Sequence, residues 1–336
     1  MKKQPNNPLI SDDSVHAIIG IASAYKQSKI FLTACELDIF TIIESEERTS
    51  KEISIEAGTD ESATLKLLDA LCAMNFLTKN DGKYRNTKAT RRFLVRSRPE
   101  YLGNLMYHTY MWEKWDDLTT VIRHGENKTY QELEEKSQKW VDAFVDSLHW
   151  RNVLKAPDIV SLIDLHEINK LLDLGCSSGI YSMEFKKAKP SLDITAFDSP
   201  KITNETFQHF KRAKMENDIK LIGGDIFTDD IGKGYDAVFI SDTLAKFDFK
   251  SDYKILHKIF DALNYGGKII VHDIIIEDNK IEPLSATIDS LELLINTKGG
   301  DVFTETDIWV MLNEAWFSNV KRIKTPFDTS LIIGTK

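Results

Sequence analysis

Beyond about residue 165 the chain alternates short β-rich runs with helical stretches, which restricts this part to an α/β domain with a largely parallel sheet. The runs 170–175 (KLLDLG), 192–198 (LDITAFD), 219–223, 235–241 (YDAVFIS) and 267–276 (GKIIVHDIII) read as strands. Helices are expected near 179–188, 201–215, 251–263, 284–297 and 304–315. Two closing strands, 319–325 and 328–334, flank a turn at Pro326 and Asp328. The last strand should therefore return antiparallel, at or beside the sheet edge.

The residues before 165 have a helical texture. A polar tail to about Ser14 leads into an amphipathic helix with Ile18, Ile21, Tyr25, Ile30, Leu32 and Ala34 at apolar positions. Short helices follow around 36–44, 49–57 and 60–75; the last opens after Thr59-Asp60, a good N-cap. The run 76–85 (FLTKNDGKYR) reads as a β-hairpin turning at Asn-Asp-Gly. Three helices and a hairpin make a winged-helix arrangement. A second helical block, about 99–168, is rich in aromatics, including Tyr107, Trp112, Trp115, Trp140, Phe144 and Trp150. Such side chains fill a core or line a ligand pocket.

At 336 residues the chain has room for roughly two domains. Its 43 basic against 52 acidic residues leave a net charge of −9, which suits a nucleic-acid partner poorly. Cys35, Cys72 and Cys176 are too few and too scattered for a disulfide framework or a CxxC metal pair, so no metal is expected. Reduced thiols fit a cytoplasmic protein. No run approaches 18 apolar residues and no apolar stretch follows Met1-Lys2-Lys3, so neither a membrane span nor a signal peptide is expected.

Three acidic or glycine-rich features sit at successive strand ends. The first βα turn is Asp173-Leu174-Gly175-Cys176-Ser177-Ser178-Gly179. Its glycines allow a sharp turn and close ligand approach. The spacing is GxxxG and lacks the GxGxxG of a dinucleotide site. Asp198 ends the next strand, where a carboxylate can accept hydrogen bonds from ribose hydroxyls. Gly224-Asp225-Ile226 follows the third strand: the carboxylate can accept from an adenine amino group, and Ile226 can pack on the ring.

With Asn264-Tyr265-Gly266-Gly267-Lys268, this ordered set resembles the class I S-adenosylmethionine-dependent methyltransferases. Upstream, Ala34-Cys35-Glu36-Leu37-Asp38-Ile39-Phe40 and Leu67-Leu68-Asp69-Ala70-Leu71 resemble the small-molecule O-methyltransferases of caffeate, acetylserotonin and antibiotic-pathway type. The resemblance covers about 15–335 and implies an α/β, Rossmann-like domain. It has a mostly parallel sheet with an antiparallel last strand, preceded by an all-helical winged-helix dimerisation domain. It implies domains at 1–98 (dimerisation), 99–168 (a helical linker contributing to the acceptor pocket) and 169–336 (S-adenosylmethionine binding). It further implies a homodimer through the N-terminal domain and O-methylation of a small aromatic metabolite. Asp173, Gly175, Gly179, Asp198, Asp225, Ile226 and Ser241 map to the cofactor. Tyr107, His108, Met111, Trp112 and Trp150 map to the acceptor.

The departures bear on mechanism. The family's catalytic histidine position is Ala245, within Thr243-Leu244-Ala245-Lys246-Phe247, and one supporting glutamate position is Val302. Asp273 keeps the other carboxylate. Substitute bases are His149, His108, Asp242, Asp273 and His272, with His149 first. Strand alternation sends His272 and Asp273 to opposite faces, which makes His272 structural. Lys246 reads as a solvated helix-start residue or a sensor of an anionic acceptor.

Two other functions compete. One is a methyltransferase fold that binds the cofactor without O-methylating, serving C- or N-methylation, other chemistry or regulation. The other is a DNA-binding winged helix, for which Lys79, Lys83, Arg85, Lys88, Arg91, Arg92, Arg96 and Arg98 form a basic cluster. Its recognition helix would offer only Lys66 and present Glu61 and Asp69, which suits a major groove poorly.

Overall fold

A computed structural model describes residues 15–336; the polar tail expected up to Ser14 lies outside them. By its internal contacts the chain forms two compact units, Met1–Thr109 and Tyr110–Lys336.

The first unit runs α1 (Val15–Ser23), α2 (Tyr25–Glu36), α3 (Ile39–Ile43), β1 (Arg48–Thr49), α4 (Ser50–Ala57), α5 (Glu61–Ala73), β2 (Leu77–Asn80), β3 (Lys83–Asn86) and α6 (Lys88–Phe93). Thr49 and Glu52 close a capping box on α4, and the Asp60 side chain accepts from the Ala63 amide to start α5. Asp81 and Gly82, both at positive φ, turn the hairpin. This unit is not all-helical: residues 48–49 pair with β3, giving a three-stranded sheet in the order β1-β3-β2. The single amphipathic helix expected from 15 onward is two helices, parted at Ala24. Its apolar residues Ile18, Ile21 and Tyr25 are exposed; burial begins only at Leu32, Ala34 and Cys35.

Half of the basic cluster of the wing is paired with acids: Lys79, Arg85, Arg92 and Arg96. Lys79 lies 2.6 Å from Asp69, Arg96 lies 2.9 Å from Asp38, and Arg92 bonds Glu100. Cations engaged this way are poorly disposed for phosphates.

The second unit contains most of α7 (Met106–Asp116), followed by α8 (Leu118–His124), α9 (Gln138–Asn152), α10 (Ala156–Ser161), β4 (Lys170–Leu174), α11 (Ile180–Ala188), β5 (Asp193–Asp198), α12 (Pro200–Ala213), β6 (Lys220–Gly223), β7 (Tyr235–Ser241), α13 (Phe249–Ala262), β8 (Leu263–Ile274), α14 (Leu284–Asn296), α15 (Glu305–Glu314), β9 (Ser318–Lys324) and β10 (Thr329–Thr335). The sheet order is β6-β5-β4-β7-β8-β10-β9. The first five strands are parallel, and β10 is antiparallel to both β8 and β9. The last strand therefore lies one place in from the edge, and β9 forms the edge itself.

Strand alternation divides the core. Leu172, Leu174, Val238 and Ile240 pack with Ile255 and Ile259 of α13 and Ile308 of α15. Leu171, Ala237, Phe239 and Ile270 pack on the other face with Ile159, Ile180 and Phe185. The strand order reverses between β4 and β7, the place where such sheets open a crevice at their carboxyl ends.

One core residue breaks the apolar rule. Asp252 on α13 is fully buried, and neither carboxylate oxygen has a partner among the described residues. Burial, reinforced by Asp248, pushes its carboxyl up to about 8. The unfolded chain releases this proton near pH 4 and the folded chain near pH 8, so stability is lost as pH rises between them. Asp252→Asn should remove that slope. Melting curves should show the variant gaining on the wild type from pH 4 to pH 8, by on the order of a few kcal/mol. A difference that stays constant across that window would contradict the assignment.

Candidate functional site

Between β4 and α11 the chain turns through 175–179. Gly175 has φ +77 and Gly179 φ +70, and a Cβ at either position would collide with its surroundings. On Gly175 it would lie 2.5 Å from Thr243 Oγ1, and on Gly179 2.2 Å from the Phe210 ring. Glycine is the residue that fits both. The Gly175 and Cys176 amides donate to the Phe197 carbonyl at 2.8 and 3.1 Å, tying the loop to the end of β5. Beneath it Asp173 is buried, accepts from Ser182 Oγ at 2.5 Å, and is pushed by burial up to about 7.

Asp198 ends β5. Its Oδ2 accepts from the Ser177 amide at 2.8 Å and its Oδ1 from the Ser199 amide at 2.7 Å. Each oxygen keeps capacity for a further donor. Burial raises this carboxyl while the amides oppose the rise. On either side, the hydroxyls of Ser177 and Ser199 are shielded from water and have no partner among the described residues. Orphaned buried hydroxyls flanking a carboxylate suit a polar ligand that completes them. The Gly224 amide donates to the Asp198 carbonyl at 3.0 Å. Asp225 is exposed and accepts from the Phe227 amide at 2.7 Å, while Ile226 packs against the core.

At the end of β7, Ser241 Oγ lies 2.8 Å from His272 Nδ1, and His272 Nε2 lies 3.0 Å from Thr329 Oγ1. Both ring nitrogens are engaged, and burial lowers the ring to about 4, so His272 acts as a neutral bridge across β7, β8 and β10. Asp242, at φ +48, receives Arg151 Nη2 of α9 at 2.9 Å. Burial alone would raise the Asp242 carboxyl; the Arg151 guanidinium outweighs it and holds the group below its ordinary value. Asp273, on the face of β8 opposite His272, is held well above the usual carboxylate range by burial and by the Asp242 charge. Two nearby carboxyls are thus pushed to opposite protonation states.

Ala245 is buried in a short turn, Leu244–Lys246, whose carbonyl at 245 crowds Gly300. Val302 packs in an apolar cluster with Ile276 and Ala286. Lys246 is half-buried rather than solvated, and burial lowers its ammonium against the pull of Asp198 and Asp242.

His149 goes to the loop between β4 and α11. Its Nδ1 lies 3.2 Å from Ser178 Oγ, and its ring stacks 4.2 Å from that of His209. Burial and the neighbouring His209 lower it to about 3, so the ring is neutral. Trp150 meets His149 edge-on at 5.1 Å. On α7, Tyr107 and His108 belong to the first unit. In the second, Met111 is buried with its sulfur 3.4 Å from Asn296 Nδ2, and Trp112 is half-buried. Sequence reasoning missed Arg151, because its partner lies 91 residues away and no motif joins them. It also missed the clasp between α9 and α12, where His209 Nε2 lies 3.1 Å from Asp146 Oδ1.

A family described as the O-methyltransferase domain matches residues 115–318, and one described as the O-methyltransferase dimerisation domain matches residues 19–96. The chain is 26% identical to the tetracenomycin polyketide synthesis 8-O-methyl transferase TcmO of Streptomyces glaucescens, over 95% of this chain and 96% of that protein. It is 25% identical to the 3-hydroxy-5-methyl-1-naphthoate 3-O-methyltransferase of Streptomyces sahachiroi, over 94% of each. Among solved structures, PigF with SAH superposes with a TM-score of 0.88 at 22% identity, covering 96% of this chain and all of that one.

Proposed function

Because the chain belongs to the O-methyltransferase family, we propose that it transfers the methyl group of S-adenosylmethionine to a hydroxyl of a small aromatic metabolite. The observation that carries this reading is the cradle at the carboxyl ends of β4 and β5. Its parts are two glycines that tolerate no side chain, Asp198 with spare acceptor capacity, and two orphaned hydroxyls. Asp198 would take the ribose hydroxyls, Asp225 and Ile226 the adenine, and the Gly175–Gly179 loop and Ser241 the amino-acid end. Asp173 would brace the loop from below. The bound sulfonium supplies an already activated methyl group. The chain's own residues then have to align the acceptor, exclude water and remove a proton.

For the proton we assign Asp242. It is held ionised by Arg151, and Asp273 beside it stays protonated, so the pair offers one acceptor and one donor. His149 is assigned to positioning the cofactor loop through Ser178. Within the second unit, the family resemblance assigns Met111, Trp112 and Trp150 to the acceptor. The two relatives named above act on a tetracenomycin polyketide and a hydroxynaphthoate, which favours a fused aromatic phenol.

We assign the dimerisation segment to pairing with a second copy. The exposed row Val15, Ile18, Ile19 and Ile21 of α1 is the surface that such pairing would cover. No helix of the described residues is long and apolar enough to cross a membrane, and Cys35, Cys72 and Cys176 are free thiols, which fits a cytoplasmic setting.

Incubation with methyl-labelled S-adenosylmethionine and a panel of hydroxynaphthoates and related polycyclic phenols tests the reading. Label should move to the phenolic oxygen of at least one compound, and the active species should scatter light at twice 38.4 kDa. Label recovered only on carbon or nitrogen would replace the O-methylation reading, and a monomeric active species would remove the pairing.

A further inference from the structure

The turn Leu244–Lys246 brings a cation to the carboxyl end of the sheet. The Lys246 charge is felt at Asp198, Asp242 and Asp273. None of these neutralises it at close range. Asp198 is bound to two backbone amides, Asp242 to Arg151, and Asp273 to the Ile274 amide. Among the described residues the Lys246 ammonium has no hydrogen-bond or ion-pair partner. It lies over the Phe144 ring, 5.7 Å from the centroid. A half-buried ammonium without an adjacent anion is costly unless a ligand brings one.

We propose that Lys246 receives the α-carboxylate of the S-adenosyl cofactor's amino-acid tail, an inference that rests on the cofactor reading above. Thr243 of the same turn packs against Gly175, where a Cβ would meet its Oγ1, and the Lys246 amide donates to the Thr243 carbonyl at 3.2 Å. Lys246 therefore stands on the turn that abuts the Gly175–Gly179 loop, which the cofactor reading gives to the amino-acid end. An ionised acceptor oxygen is the other anion that such a cation could take. Lys246 directly follows Ala245, so the turn that lacks the family's imidazole carries a charge in its place.

Calorimetry with two ligands separates the sources. S-adenosylhomocysteine carries the carboxylate tail, whereas 5′-methylthioadenosine keeps the adenine, ribose and thioether but lacks it. Lys246→Met should weaken S-adenosylhomocysteine about tenfold or more, as loss of a charge-assisted hydrogen bond does, and leave methylthioadenosine within about twofold. Lys246→Arg, which keeps the charge, should retain most of the preference for the tailed ligand. Equal losses for both ligands would overturn the proposal, since a merely structural lysine would act that way. An unchanged affinity for S-adenosylhomocysteine would also overturn it and assign the cation to the acceptor oxygen. If wild-type protein binds neither ligand, the cofactor reading itself falls, and this inference with it.

Discussion

Asp198→Ala should weaken binding of S-adenosylhomocysteine about 100-fold. Two hydrogen bonds from ribose hydroxyls to a carboxylate contribute about 1.5 kcal/mol or more each, and both are lost together. The same substitution frees the amides of Ser177 and Ser199, which now donate to the carboxylate. The loop between β4 and α11 should therefore also loosen. Asp198→Asn, which keeps one acceptor oxygen, should fall between the wild type and Ala. Calorimetry measures the affinities, and a melting curve on each sample checks the fold. Affinity within about twofold of wild type, in a variant that melts normally, would remove Asp198 from the ribose.

Asp242→Asn should lower kcat by about 10²–10⁴, the usual worth of a positioned base, and leave cofactor affinity unchanged. The pH dependence gives an independent reading. Arg151 holds the Asp242 carboxyl below its ordinary value, so the group stays ionised as pH falls through neutrality. The wild-type rate should stay level through pH 6.5 and decline only below about pH 4, where an ordinary carboxylate takes up its proton. A histidine base would give a decline near pH 6.5 instead. Arg151→Met should move the decline upward by freeing Asp242 from its partner. A rate unaffected by Asp242→Asn would leave the proton to the acceptor's own ionisation.

The strand succession from β4 to β8 and both closing strands could be read from the sequence because each run is short, apolar and bounded by turn residues. The three acidic or glycine-bearing strand ends could be read because they lie in loops whose position a doubly wound sheet dictates. What could not be read is what depends on pairing across the chain. Residues 48–49 carry no strand signal of their own and become a strand only because β3 lies beside them. The place of β10 inside β9 follows from a crossing that a two-strand turn leaves open.

Electrostatic roles follow the same rule. His149 looks like a free imidazole on a helix, and only its contacts with Ser178 and His209 show it neutral and directed at the loop. Asp242 looks like a turn residue until Arg151 reaches it from α9. Asp252 has the sequence context of an exposed helical position, near Lys250 and Lys254, but lies on the face that α13 buries.

Calorimetric titration of the full chain with S-adenosylmethionine tests the central claim most directly. The cradle formed by Gly175, Gly179, Asp198 and the hydroxyls of Ser177 and Ser199 predicts saturable binding at one site per chain. A correctly folded sample that gives no binding heat at any temperature tried, and no shift in melting with the ligand, would contradict it.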